Sequence, residues 1–160
     1  MDFHSHNHQA LDAYENVLMH LKEKHIRITQ TRKAVIAYMV NSQEHPSADT
    51  VYHDLLPDYP NLSLATVYNN LKLLVDEGFV SELKLSQDST AYYDFMGHQH
   101  LNIVCESCGK ITDFMDVDVL KMHQEVHEQT GYQVTKAQLI LYGICPDCQA
   151  KKKKEQSAQQ

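Results

Sequence analysis

Apolar residues recur at helical spacing through the first half of the chain. Leu11, Tyr14, Val17, Leu18 and Leu21 share one face of a helix predicted over residues 9–25, and Val35, Ile36, Met39 and Val40 mark a second within residues 27–40. After a break from Asn41 to Pro46, Ser47 is placed to cap a third helix holding Val51, Tyr52, Leu55 and Leu56, which Pro57 and Pro60 bring to an end. Ser63 is placed to cap a fourth, with Leu64, Val67, Leu71, Leu74 and Val75 on one stripe and Gly78 as its stop. The last two, joined by a tight Pro/Asn turn, have helix-turn-helix form.

Beyond Gly78 the period shortens. "FVSELKL" and "AYYDF" alternate or run apolar on either side of the turn-forming "SQDST", which predicts a hairpin; directly after a helix-turn-helix, a hairpin is a wing. "HLNIVCESCGKITDF" reads as strands around a knuckle, "MDVDVLKMHQEVHEQTG" as a helix, and "YQVTKAQLILYGICPDC" as a last strand pair. The pattern predicts an α+β chain with a winged helix-turn-helix domain over residues 1–94, a smaller α/β domain over 95–150, and a low-complexity, disordered basic tail over 151–160.

With 160 residues, 42% of them hydrophobic and 22% charged, the chain has the material for a buried core. It contains no run of about 18 apolar residues, and its first residues lack the plan of a signal peptide. The expectation is a cytoplasmic protein with no membrane partner, whose cysteines are thiols. A formal charge of -7 disfavours a phosphate partner overall. The distribution changes that picture, because Lys22, Lys24, Arg27, Arg32 and Lys33 face only Glu23 between His20 and Lys33.

Candidate chemistry concentrates after residue 94. Cys105-x-x-Cys108 and Cys145-x-x-Cys148 use every cysteine, and two such knuckles supply the four thiolates of a tetrahedral structural Zn(II). A closed four-sulfur site has no open position for substrate, so this zinc is expected to fold the second domain. Asp94, His98, His100 and Asp113, with His45 from the helical half, form a second, harder donor set suited to Fe(II), Mn(II), Zn(II) or Co(II). The other histidines carry less. "HQEVH" puts its Glu in the wrong place for a metalloprotease, so His123 and His127 read as surface residues. His20, His25 and His53 find no acidic or cysteine partner in register and read as surface or phosphate-contacting groups.

On the fourth helix the face away from the core shows Ala65, Thr66, Tyr68, Asn69 and Lys72. Asn pairs with adenine, Ala and Thr methyls pack on the thymine methyl, and Lys meets phosphate, as do Arg27 and Arg32 of the basic stretch. Such a face suits a major-groove reader of A·T-rich sequence, although a polar helix face with no partner would look alike.

"RITQTRKAVI", "HPSADTVY", "SLATVYNNLKLL", "YYDF", "CESCGK" and "CPDC", in this order, resemble the ferric uptake regulator superfamily of metal-dependent bacterial repressors, over roughly residues 14–148. Within it the chain is most similar to the peroxide-responsive regulators, whose pattern matches Asn69 on the reading helix and Asp113 after the first knuckle. The resemblance implies a homodimer that binds palindromic operator DNA. It also implies a regulatory Fe(II) or Mn(II) held by His45, Asp94, His100 and Asp113, and sensing by iron-catalysed oxidation of a ligand histidine, His45 or His100.

The chain departs from that pattern at one position. Asn102 stands where a second strand histidine is expected, and His98 lies too far along an extended strand to replace it. Asn102 offers only a weak carbonyl donor. The expected substitute is "HSHNH": if Asn7 caps the first helix, His4 and His6 lie on one face of an extended arm that can reach an under-coordinated metal. Two rival readings stand beside the peroxide sensor. One is an iron, manganese or zinc uptake regulator of the same fold; the other, a hydrolytic metal centre, lacks a nucleophile and leaves the winged helix unexplained.

Overall fold

The computed structural model describes residues 3–84, 89–96, 101–114, 119–134 and 139–158. The chain divides into two compact units, residues 1–83 with 90–97 and residues 84–89 with 98–160. Its class is α+β.

In the first unit, α1 (Phe3–Glu23), α2 (Gln30–Asn41), α3 (Ala48–Leu55) and α4 (Leu64–Asp76) precede a two-stranded wing of β1 (Val80–Lys84) and β2 (Ala91–Phe95). Three helix starts are set by hydroxyl caps. Thr29, Ser47 and Ser63 each accept a hydrogen bond from the backbone N–H three residues on, at Arg32, Thr50 and Thr66. The second helix therefore begins at Gln30, inside the stretch that periodicity alone marked from residue 27. Val17 and Leu21 of α1, Val35, Ile36 and Met39 of α2, Ala48 and Val51 of α3, and Val67, Leu71 and Leu74 of α4 close one core with Leu62, Val80 and Tyr93. Leu11, expected on the apolar face of α1, is exposed.

Two helices end alike. Gly78 has φ +82° and its N–H donates to the Val75 carbonyl, while Phe79 N–H reaches back to Leu74. His25 has φ +56°, its N–H donates to Lys22, and Ile26 N–H reaches Leu21. Both are left-handed terminators in which the reversed chain satisfies the last carbonyls, and glycine is the usual occupant.

In the second unit, β3 (Leu101–Cys105) is the central strand, antiparallel to β4 (Ile111–Phe114) and parallel to β5 (Ile140–Gly143), with α5 (Val119–Thr130) between β4 and β5 in sequence. Of the predicted last strand pair, β5 is one member, and residues 135–138 lie outside those described. One expectation is corrected here. The tail expected to be disordered is helical as far as Ala158, because α6 (Pro146–Ala158) starts on a proline that needs no N–H donor and continues in Lys, Glu, Gln and Ala, all strong helix formers. No described helix is long and apolar enough to cross a membrane.

Candidate metal centres and reading helix

The four cysteines meet because two strands end together. β3 finishes at Cys105, and the turn that follows carries Cys108 and then Gly109, whose φ of +75° lets the chain fold back with Gly109 N–H on the Cys105 carbonyl at 2.8 Å. Since β5 is parallel to β3, it finishes at the same edge, where Glu106 N–H donates to Gly143 at 2.8 Å. Cys145 follows, and Cys148 sits in the first turn of α6 rather than on a strand.

All four are free thiols, and their sulfurs lie within 4.8 Å of one another. The Cys108 and Cys145 sulfurs are 3.8 Å apart. Zn–S bonds of about 2.3 Å in a tetrahedron put sulfurs about 3.8 Å apart, so the donor set fits zinc in kind and spacing. The surroundings split the thiols. Cys145 N–H donates to the Cys105 sulfur at 3.3 Å and, with the amides of Cys108 and Ser107, lowers the Cys105 pKa to about 6. The Ser107 hydroxyl pulls on Cys148, but the neighbouring thiols of Cys145, Cys108 and Cys105, together with burial, outweigh it and raise that pKa to about 11. A cation that takes all four as thiolates displaces these protons.

In the first unit, a second donor pair joins the wing to the segment before α3. Tyr93 N–H donates to the Pro46 carbonyl at 2.9 Å, and Ser47 bridges to Tyr92, so the segment leading into α3 is stitched to β2. The residue before a proline is restricted to extended backbone. His45 is thereby held beside Asp94, with Nε2 and Oδ2 3.9 Å apart and both side chains about nine-tenths buried. That separation is longer than a hydrogen bond. It fits two donors sharing one cation, which at bond lengths of about 2.1 Å lie roughly 3–4.2 Å apart.

The remaining ligands predicted from sequence divide into two groups. Asp113 is exposed on β4, directly opposite Asn102 of β3, which is buried; as register partners they project from the same face. His98 and His100 lie outside the described residues, as do the side chains of His4 and His6. The backbone at His4 and His6 is helical where an extended arm was expected, since α1 begins at Phe3.

On α4, Ala65, Tyr68, Asn69 and Lys72 are exposed along one face, with Thr66 half-buried beside its Ser63 cap. Lys72 pairs with Asp76 at 2.8 Å, and this acid raises its pKa. Arg27 is exposed, whereas the Arg32 guanidinium bonds to Asn70 Oδ1 and to the Arg27 carbonyl.

One contact was missed from sequence. His20, thought to lack an acid, bonds through Nε2 to Glu77 Oε2 at 2.7 Å, and Lys24 reaches the same oxygen at 2.6 Å. The partners are 57 residues apart, beyond any local pattern.

Residues 23–142 match the ferric uptake regulator family. The chain belongs to the ferric uptake regulator family. This is a family of metal-binding transcription regulators, not of enzymes. The peroxide-responsive repressor PerR of Staphylococcus aureus strain Mu50 is 41% identical over 137 residues, which span 86% of this chain and 92% of that protein. A structure giving the basis for peroxide sensing and gene regulation by PerR from Streptococcus pyogenes is 74% identical, covers 85% of this chain and 92% of its own, and has a TM-score of 0.52. The ferric uptake regulator Fur of Helicobacter pylori, a structure with three functional metal-binding sites, is 26% identical over 88% of this chain and 93% of its own, with a TM-score of 0.67.

Proposed function

We propose that this chain is a cytoplasmic repressor that binds palindromic, A·T-rich operator DNA as a homodimer when a regulatory Fe(II) or Mn(II) site is filled, and that peroxide releases it. The observation that carries the reading is the buried His45–Asp94 pair, fixed by the stitching of Pro46–Ser47 to the wing. An N/O donor pair suits an exchangeable hard cation, and the separate four-thiolate set takes the structural zinc. The wing is part of the DNA-binding unit, so a ligand on it couples metal occupancy to the wing's position.

In this reading His100, Asp113 and the Asn102 carbonyl supply further donors, joined by His98. His4 and His6 contribute once the first turn of α1 unwinds; that turn holds no acidic residue to favour the helix dipole, so unwinding costs little. The exposed face of α4 enters the major groove through Ala65, Thr66, Tyr68 and Asn69, with Lys72 and Arg27 on phosphates. Phe114, Leu141 and Tyr142 are large, exposed apolar residues on the three-stranded sheet, and they support dimerisation through the second unit. A bound Fe(II) would supply redox catalysis at this site. Overall, a ring C–H of His45 or His100 would become C–OH while one oxygen of peroxide left as water, the ring being oxidised by two electrons and the peroxide reduced by two, and the altered ring would coordinate poorly.

The test is mass spectrometry of the protein loaded with Fe(II) or with Mn(II) and exposed to dilute peroxide. One added oxygen on a peptide holding His45 or His100, only with Fe(II), is the expected result. An unmodified iron protein that still binds DNA in a metal-dependent way would make it a metal-uptake regulator instead.

A further inference from the structure

We infer that Arg32 is a positioning residue for the reading helix, acting through Asn70 to set which bases the helix meets; this rests on the DNA-binding reading above. Arg32 sits in the first turn of α2, where its own N–H is held by the Thr29 cap at 3.1 Å. Its Nε donates to Asn70 Oδ1 at 2.8 Å, and its Nη1 donates to the Arg27 carbonyl within the loop before the helix. Asn70 is 4% exposed, and its Nδ2 donates in turn to the Thr66 carbonyl at 3.0 Å, one turn back along α4. Thr66 closes the chain by sharing the Ser63 cap. The fork of one guanidinium thus ties the start of α2, the loop before it and the N-terminal half of α4 into one network.

The chemistry explains why an arginine and an asparagine stand there. A buried side-chain amide needs both its carbonyl and its N–H satisfied, and Asn70 has one partner for each. Arginine holds several N–H donors in a rigid plane, so two bonds fix its direction. Asn70 follows Asn69 directly: Asn69 is exposed on the reading face, and Asn70 is anchored inward. The bond to Arg32 therefore sets the roll of α4 about its axis. Side-chain tips lie about 5–6 Å from a helix axis, so a roll of about 20° displaces them by about 2 Å. Bidentate base contacts tolerate only a few tenths of an ångström around roughly 2.7–3.2 Å. Phosphate contacts by long, flexible lysines survive such a roll.

A charged residue in the basic stretch would otherwise be read as a phosphate contact, and the two roles separate by experiment. The wild-type dimer, zinc-bound and loaded with Mn(II), enriches a duplex from a randomised pool, and Arg32→Ala, Arg32→Lys, Asn70→Ala and Arg27→Ala are compared on that duplex and on a shuffled one across a salt series. Each is checked for native circular dichroism and zinc content; Arg32→Lys, which keeps charge and stem, carries the test if Arg32→Ala does not fold. Selectivity between the two duplexes is expected to fall by roughly tenfold or more in the Arg32 and Asn70 variants, with binding to the shuffled duplex and the salt slope kept. The double variant Arg32→Ala/Asn70→Ala should lose no more than either single one. Arg27→Ala should weaken both duplexes alike.

Equal weakening on both duplexes by the Arg32 variants, with a salt slope smaller by about 0.9 for each Arg32 lost, overturns the proposal and makes Arg32 a phosphate contact. Full rescue by Arg32→Lys, or unchanged selectivity in Asn70→Ala, overturns it too. If the wild type enriches no duplex, the DNA-binding reading fails, and the proposal with it.

Discussion

His45 Nε2 and Asp94 Oδ2 lie 3.9 Å apart inside the winged unit, although one precedes α3 and the other stands on the wing. A buried imidazole and carboxylate held at this separation form a ready half-site for a cation. His45→Ala and Asp94→Asn should each lower Mn(II) affinity by on the order of tenfold or more, about 1.4 kcal/mol per tenfold, with zinc content unchanged. Removal of residues 1–6 should act in the same direction. Isothermal titration with Mn(II) on the zinc-bound protein measures both, and unaltered affinity in the point variants would place the site elsewhere.

The four-cysteine site, as the proposed seat of a structural zinc, should behave differently when broken. Cys108→Ser leaves three thiolates and removes a sulfur that faces Cys145 at 3.8 Å. Because the metal-bound form exists only in the folded state, its loss is lost folding free energy. Inductively coupled plasma analysis should show zinc falling from one per chain towards none, and circular dichroism a lower Tm. Retained zinc and an unchanged Tm would contradict the four-thiolate assignment.

Glu77 gives the fold a pH dependence at its acidic side. The Lys24 ammonium, and after it His20, hold this carboxyl below the usual carboxylate range. A carboxyl whose folded pKa lies below its unfolded value of about 4.3 stabilises the fold above that pH, and the contribution is lost as pH falls through the lower, folded value. Glu77→Gln should therefore have a lower Tm than wild type at pH 7, and the two curves should converge as the pH falls through that lowered, folded value. A difference that persists at acid pH would point to packing instead.

The two left-handed helix ends predict opposite outcomes. A Cβ at Gly78 would meet nothing within 4 Å, so Gly78→Ala costs only the strained φ, about 1 kcal/mol. His25→Gly relieves the same strain at φ +56° and should gain about 1 kcal/mol. Urea unfolding measures both changes.

What the sequence made legible was mostly local. Ser47 and Ser63 announced their helices because a cap acts within three residues, and Gly78 announced an end because few other residues accept its φ. The cysteine set was legible because paired knuckles have few other uses. The pairs His20–Glu77 and Arg32–Asn70 were not, since they depend on how α1 and α2 pack on α4. The lysine run is low in complexity and yet helical, because lysine, glutamate and alanine are good helix formers once Pro146 has started a helix. At the N-terminus a helix stands where the histidine spacing suggested an extended arm.

Fluorescence anisotropy of the zinc-bound dimer on the duplex it enriches, with and without Mn(II), tests the central claim most directly. The account predicts that Mn(II) tightens binding by roughly 5–150-fold and that His45→Ala abolishes this gain while leaving zinc in place. Equal affinity with and without Mn(II) in the wild-type protein would contradict it.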